Sequence, residues 1–138
     1  EGNSFLFHHK HLRCMGIRNY LGCWCGYVII PKKVLKSSTP LTDLHLSVHK
    51  GITFQSYAKD TSFKYKGKKG DDYIIGFDTS HLGDYIPFIA EISPYAETKG
   101  IYRDIKYTKK QLMSLCDQLI DQNVVKNVML EVIKKINS

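Results

Sequence analysis

The chain has 138 residues, of which 43% are hydrophobic and 24% charged, and it carries a formal net charge of +7. This size and composition are those of one globular domain over residues 1–138, which excludes a disordered or fibrous chain. The positive charge excludes an acidic mimic of nucleic acid. Apolar runs stay short of the ~20 residues that a membrane span requires, and EGNSFLFHHKH lacks the apolar centre of a signal peptide. We therefore expect a cytoplasmic protein with no membrane partner.

The first half of the chain is predicted to consist mainly of strands. Aromatic and β-branched residues dominate from Phe5 to Ile30, and the turn-forming stretch GIRNYLG divides them into two runs, which predicts a hairpin or meander. The segment LHLSVHKGITF alternates apolar and polar residues, which predicts a strand over 44–50. The run DYIIGFD predicts another strand over 72–78. Residues 85–101 show little periodicity, so we expect an irregular excursion there.

The C-terminal third has the periodicity of helices. Thr108 and Gln111 have the spacing of a capping box, and the apolar residues that follow predict a helix from Thr108 to about Ile120. A second apolar stripe predicts another helix from about Val124 to Ile136, with Asn123 as its cap. Strands followed by helices indicate an α+β fold, a mainly antiparallel sheet with two C-terminal helices packed on one side.

The cysteines do not form a recognisable metal or redox motif. They are Cys14, Cys23, Cys25 and Cys116, and the C-W-C spacing differs from the C-x-x-C of zinc ribbons and thioredoxin-like sites. We interpret them as buried small hydrophobic residues. A thiolate metal ligand from Cys23 or Cys25 is the alternative.

The stretch IIGFDTSHLGD contains the sharpest candidate for a functional site. Its strand ends in Asp78, followed by His81 and Asp84, and carboxylate and imidazole groups are ligands of zinc, iron or manganese. If strands 44–50 and 72–78 are neighbours, His49 and Asp78 project from the same face of the sheet. We predict a divalent ion, zinc, on His49, Asp78 and His81, with Asp84 as fourth ligand or as a partner that orients an imidazole. Turn formation and a structural histidine are the alternative.

A second candidate is the basic stretch KDTSFKYKGKKG. Its lysines Lys64, Lys66, Lys68 and Lys69 alternate in part with Phe63 and Tyr65. Such a segment suits an acidic protein surface or the phosphates of a nucleic acid, because both attract clustered positive charge. A mobile, solvated loop is the alternative.

Four runs of the sequence, taken in order, resemble a family of small phage and prophage proteins, mostly of undefined function. The runs are CGYVIIP at 25–31, VHKGITF at 48–54, IIGFDTSHLGD at 74–84 and YRDIKYTKKQL at 102–112. They are similar to the family's G-Y-V strand and its H-G-G-[IL]-T, G-F-D-x-x-H-x-G-D and Y-R-D-x-x-Y-V segments. The matching polar positions are His49, Asp78, His81, Asp84, Arg103 and Asp104. Lys50 departs from the pattern by replacing a glycine, and Thr39 stands where family members often have histidine before proline.

Two functions compete, the first drawn from the resemblance and the second from the candidate metal ligands. A small basic phage protein is similar in size and setting to the inhibitors that phages use against CRISPR systems, some of which contain structural metals. The first expectation is therefore an anti-CRISPR protein that binds the type II effector nuclease of the infected bacterial host and blocks target DNA loading. The second is a metal-dependent hydrolase or nuclease, in which Asp84 is the general base and Arg103 steadies a phosphate. We favour the first because the sequence shows no nucleophile and no second metal set. Direct nucleic-acid binding is a secondary expectation.

Overall fold

The protein combines one antiparallel sheet with one helix, as described by a computed structural model over residues 3–36, 48, 51–79, 104–126 and 135–137. The strands are β1 (Ser4–His9), β2 (Leu12–Arg18), β3 (Trp24–Ile30), β4 (Phe54–Tyr57) and β5 (Tyr73–Asp78), and the helix is α1 (Ile105–Asp121). Short 3₁₀ turns span Lys32–Val34 and Ala58–Asp60. The strand order is β1-β2-β3-β5-β4, with every neighbouring pair antiparallel. The α+β class is confirmed. No helix in the described ranges combines the length and apolarity needed to cross a membrane.

The predicted N-terminal meander is confirmed by β1, β2 and β3. The turn between β2 and β3 is organised by Asn19, whose side-chain oxygen accepts hydrogen bonds from the backbone N–H groups of Leu21 and Cys23, each at 3.0 Å. Gly22 adopts a φ of 83° in this turn, a value that glycine tolerates without steric cost. Local side-chain bonding of this kind is how asparagine reverses a chain.

The strand predicted over 72–78 is confirmed as β5, whereas the one predicted over 44–50 lies outside the described residues except for Val48. Strand β4 begins at Phe54, four residues after the end of that segment, and was not predicted. Strands β3 and β4 pair with opposite edges of β5 over Tyr73–Gly76, so this part of β5 has no free edge for a further strand. The predicted excursion over 85–101 also lies outside the described ranges.

The two faces of the sheet form separate clusters, because successive strand residues point to opposite sides. One face packs against α1 through the buried residues Leu12, Cys14, Val28, Ile30, Tyr73, Ile75, Phe77, Leu112, Leu115, Cys116 and Leu119. The predicted apolar stripe of α1 is therefore confirmed as its buried side. The other face contributes Met15, Ile29 and Ile74, which pack with Ala58, Phe63 and Tyr65 of the lysine loop, residues 58–72.

Two glycines allow aromatic rings to lie directly over the helix-facing side of the sheet. Gly16 and Gly26 are cross-strand partners in β2 and β3. A Cβ atom at Gly16 would lie 2.1 Å from the Phe5 ring, and one at Gly26 would lie 2.8 Å from the Phe77 ring and 3.1 Å from Leu112 Cδ2. The missing side chains therefore provide the space in which these rings and α1 pack.

The helix begins earlier than predicted because a different residue caps it. Asp104 is the N-cap, and its carboxylate accepts a hydrogen bond from the Tyr107 N–H at 2.8 Å. Thr108 lies one turn inside the helix, where its hydroxyl donates to the Asp104 carbonyl at 2.9 Å. The prediction of a start at Thr108 was wrong because the aspartate one turn earlier satisfies the free N–H of Tyr107 in the first turn.

The prediction of a second helix starting at about Val124 is also corrected. Asn123 has a φ of 59° and ends α1, since its N–H donates to the Ile120 carbonyl and the Val124 N–H donates to the Leu119 carbonyl. Val125 then forms an antiparallel bridge with Leu35. Residues 127–134 lie outside the described part, and Lys135 and Ile136 are helical. One complete C-terminal helix is described, not two.

The N-terminal boundary of α1 can be tested directly through its cap, Asp104. Replacing Asp104 with Ala should lower the free energy of unfolding by ~0.5–2 kcal/mol, because the Tyr107 N–H loses its acceptor. The matched control is Asp104→Asn, which retains a capping oxygen and should change stability by only a few tenths of a kcal/mol. Urea unfolding followed by circular dichroism measures both, and equal effects of the two changes would contradict the assignment of the cap.

Candidate functional site

Asp78 is the predicted metal ligand that the structure describes, and it occupies the last position of β5. Its cross-strand partner in β3 is Cys25, and both residues lie on the sheet face away from α1. The Thr53 hydroxyl donates a hydrogen bond to Asp78 Oδ2 at 3.4 Å. The side chain is only partly buried. A half-exposed carboxylate at a strand end is chemically suited to bind a cation.

The groups beside Asp78 are held in their neutral forms. Burial raises the pKa of the Cys25 thiol to about 11, and the negative charge of Asp78 adds to this effect. Burial also raises the pKa of Tyr27, with further contributions from Cys25 and Asp78. Near neutral pH, the Cys25 thiol is therefore protonated. It would act as a ligand only if a metal ion displaced its proton.

Both chain segments that lead to the predicted histidines are fixed close to Asp78. On one side, the Thr53 N–H donates to the Gly76 carbonyl at 3.0 Å, and the Gly51 N–H donates to the Val48 carbonyl at 2.9 Å. On the other side, the Thr79 N–H and hydroxyl both donate to the Trp24 carbonyl, at 3.1 and 3.0 Å. In sequence, His49 is two residues before Gly51, and His81 is two residues after Thr79.

The three other predicted ligands, His49, His81 and Asp84, lie outside the described residues, as does Arg103. Within the ranges that are described, no group of three or more His, Cys, Asp or Glu residues could hold a metal ion. Gly51, the glycine of the H-G-G-[IL]-T pattern that this chain retains, has a φ of 91° and closes the turn begun at Val48. The glycine that the backbone requires is therefore present, although Lys50 replaces the other.

The lysine loop is attached to the sheet through its two aromatic side chains. Phe63 packs against Tyr27 and Phe54, with ring centroids 4.7 and 5.5 Å apart. The Tyr65 hydroxyl donates to Asp72 at 2.8 Å, and the Arg13 guanidinium lies 5.1 Å from the centre of the Tyr65 ring. The two aromatic residues of the loop therefore serve packing, and the prediction that the loop contacts a partner now rests on its lysines.

The predicted lysines differ in their surroundings. Lys64, Lys66 and Lys69 are exposed. Lys68 is partly buried, and its ammonium group donates hydrogen bonds to the carbonyls of Thr61 and Phe63. Three positive charges therefore point outward from a fixed backbone, while the fourth stabilises the loop itself.

All four cysteines are free and buried, as predicted. Cys14 in β2 and Cys116 in α1 face each other across the core, with their sulfur atoms 3.3 Å apart. This hydrogen bond, together with burial, raises the pKa of Cys14. The pair is a packing contact between sheet and helix and lies on the face opposite to Asp78.

Sequence analysis missed the pairing of Asp78 with Cys25 and Thr53. The alternation of CWCGYVII places Cys25 and Tyr27 on one face, but nothing local indicates which strand lies beside them. The pairing is set by a register between strands 53 residues apart in sequence. Comparison with protein families, curated proteins and solved structures gives no match, so the resemblance to phage proteins stays a prediction.

Proposed function

We propose that this chain is a phage-encoded, metal-binding inhibitor of a host defence protein, the type II CRISPR effector nuclease, whose loading of target DNA it blocks. The observation that supports binding is the lysine loop, whose exposed Lys64, Lys66 and Lys69 stand on a backbone fixed by aromatic packing. Because the backbone that carries these lysines is already fixed, binding to an acidic surface would not have to order it, and the entropy cost falls on the lysine side chains alone. The phage setting and the choice of partner rest on the sequence resemblance.

In this proposal the metal is structural. Asp78 would hold zinc together with His49 and His81, and the ion would tie the segments that contain these histidines to the end of β5. Gly51, Thr53 and Thr79 support this role, since their hydrogen bonds fix the chain on both sides of Asp78. Binding free energy at such a site is part of the free energy of folding.

The metal site is tested by elemental analysis of purified variants. We expect about one zinc ion per chain in the unmodified protein, and its loss in Asp78→Asn and in His81→Ala. The matched control is Asp71→Asn, a change of the same kind at an exposed aspartate of the lysine loop, which should retain the metal. Stoichiometric zinc in the His81→Ala protein would contradict the proposed ligand set.

Chelation separates this proposal from the hydrolase. Removal of a structural ion should lower the thermal midpoint of unfolding and loosen the domain, as measured by circular dichroism. Removal of a catalytic ion should leave the fold largely intact and abolish turnover. Cleavage of nucleic acid by the purified protein alone, lost in Asp78→Asn, would favour the hydrolase.

The partner surface is tested by charge reversal. The double change Lys64→Glu and Lys66→Glu should slow association with the purified effector nuclease by roughly tenfold at low salt, because long-range attraction mainly affects the association rate. The control pair, Lys106→Glu and Lys110→Glu, makes the same change in net charge on the exposed side of α1. Equal slowing by both pairs would show that net charge matters and the loop does not.

A further inference from the structure

A basic groove lies beside the lysine loop, at the end of the sheet where β3 gives way to the 3₁₀ turn Lys32–Val34. It consists of two adjoining clefts of about 420 and 450 Å³. Both clefts are lined by Lys32 and Asp71, so they lie side by side. The lysines of this groove are Lys32, Lys33, Lys59 and Lys69, all of them exposed.

The groove has an excess of positive charge that the described residues do not neutralise. None of its four lysines forms an ion pair within the ranges that the structure describes, where the two ion pairs both involve Asp117. Of its two carboxylates, Asp72 is buried and accepts hydrogen bonds from the Tyr65 hydroxyl and the Lys69 N–H. Asp71 is the exposed one. The groove therefore has four exposed lysines against two aspartates, one of them buried, and this excess of positive charge favours a ligand with several negative charges.

An aromatic ring in the same groove narrows the class of ligand. Tyr57 is 36% exposed, so part of its side chain is in contact with solvent in the groove. The ring makes an edge contact with Tyr73, with centroids 5.2 Å apart, and the Lys59 ammonium lies 5.8 Å from its centre. Tyr73 is itself fixed, because its hydroxyl donates to Gln55 Oε1 at 2.8 Å.

We infer that this groove binds single-stranded nucleic acid, with the four lysines on successive phosphates and a base stacked on Tyr57. A row of ammonium groups follows the backbone, and a rigid exposed aromatic ring accepts any base, which is the usual basis of sequence-independent single-strand binding. An acidic peptide would bind the lysines equally well but would place no base against the Tyr57 ring. A duplex keeps its bases stacked within itself and leaves Tyr57 without a partner.

The test is fluorescence anisotropy with a fluorescein-labelled oligothymidylate of ~15 nucleotides, a length that covers the ~4–16 nucleotides of comparable sites. Changing Lys32 and Lys33 to Glu should weaken binding at least tenfold. The pair Lys64→Glu and Lys66→Glu makes the same charge change outside the groove and should weaken binding much less. Tyr57→Ala should weaken binding roughly 5- to 150-fold, whereas Tyr57→Phe, which keeps the ring, should bind like the unmodified protein.

Two further measurements test whether the contacts between lysines and phosphates are electrostatic. The plot of log affinity against log salt concentration should have a slope of about −3, the value for four contacts to a single strand. Asp71→Asn should strengthen binding, because it removes the exposed carboxylate from the groove. Equal affinity for a duplex of the same length, equal competition by polyglutamate, or equal losses from the two lysine pairs would overturn the inference. Tyr57→Ala binding as tightly as Tyr57→Phe would do so as well.

Discussion

Replacing Leu115 with Ala should lower the free energy of unfolding by ~2–5 kcal/mol, the range for large buried side chains cut back to alanine. Leu115 is 0% exposed and belongs to the cluster that joins α1 to the sheet. The loss combines the apolar surface removed with the cavity left between a helix and a sheet that are both hydrogen-bonded and cannot collapse freely.

Chemical denaturation with a linear extrapolation measures this loss. The matched control is Lys110→Ala, an exposed position on the same helix, which should stay within about 0.5 kcal/mol of the unmodified protein. If Leu115→Ala also stayed within that margin, the helix could not pack on the sheet in the manner described.

Gly26→Ala should also be strongly destabilising, by about 1–3 kcal/mol, because one added carbon has no space in a packed core. The new Cβ would lie 2.8 Å from the Phe77 ring and 3.1 Å from Leu112 Cδ2. Relief therefore requires either the ring or the helix to move.

A double-mutant cycle with Phe77→Leu identifies which contact causes the loss. Leucine lacks the flat ring that covers Gly26, so Gly26→Ala should cost less in the Phe77→Leu protein than in the unmodified one. Strictly additive effects, measured by the same denaturation experiment, would mean that the ring does not lie over the glycine.

Much of the fold could be predicted because its signals are local. The alternation and β-branched content of the first 30 residues indicate the meander, and the apolar stripe of α1 indicates its buried side. The ends of α1 were harder to predict from the sequence, since the residues there can either cap a helix or lie elsewhere in or after it. These residues are Asp104, Thr108 and Asn123. Asparagine both caps helix starts and adopts the left-handed conformation that ends them. The bridge from Val125 to Leu35, which sequence does not reveal, supports the second role.

The candidate site was predictable to a smaller extent. The position of Asp78 at a strand end, on the face opposite to Phe77, follows from the alternation of side chains along DYIIGFD. The residues beside Asp78 could not be predicted in this way, because the β3–β5 pairing joins distant parts of the chain. The groove near Tyr57 was missed for the same reason: Lys32 and Lys69 come together only when the end of β3 meets the end of the lysine loop.

The alternation of the lysine loop has a consequence for how this protein can evolve. Phe63 and Tyr65 face the sheet, while Lys64 between them and Lys66 after them are exposed. Substitutions at the outward positions leave the packing of the loop untouched, so they cost little stability. The loop can therefore acquire a new charge pattern one residue at a time while its scaffold stays the same.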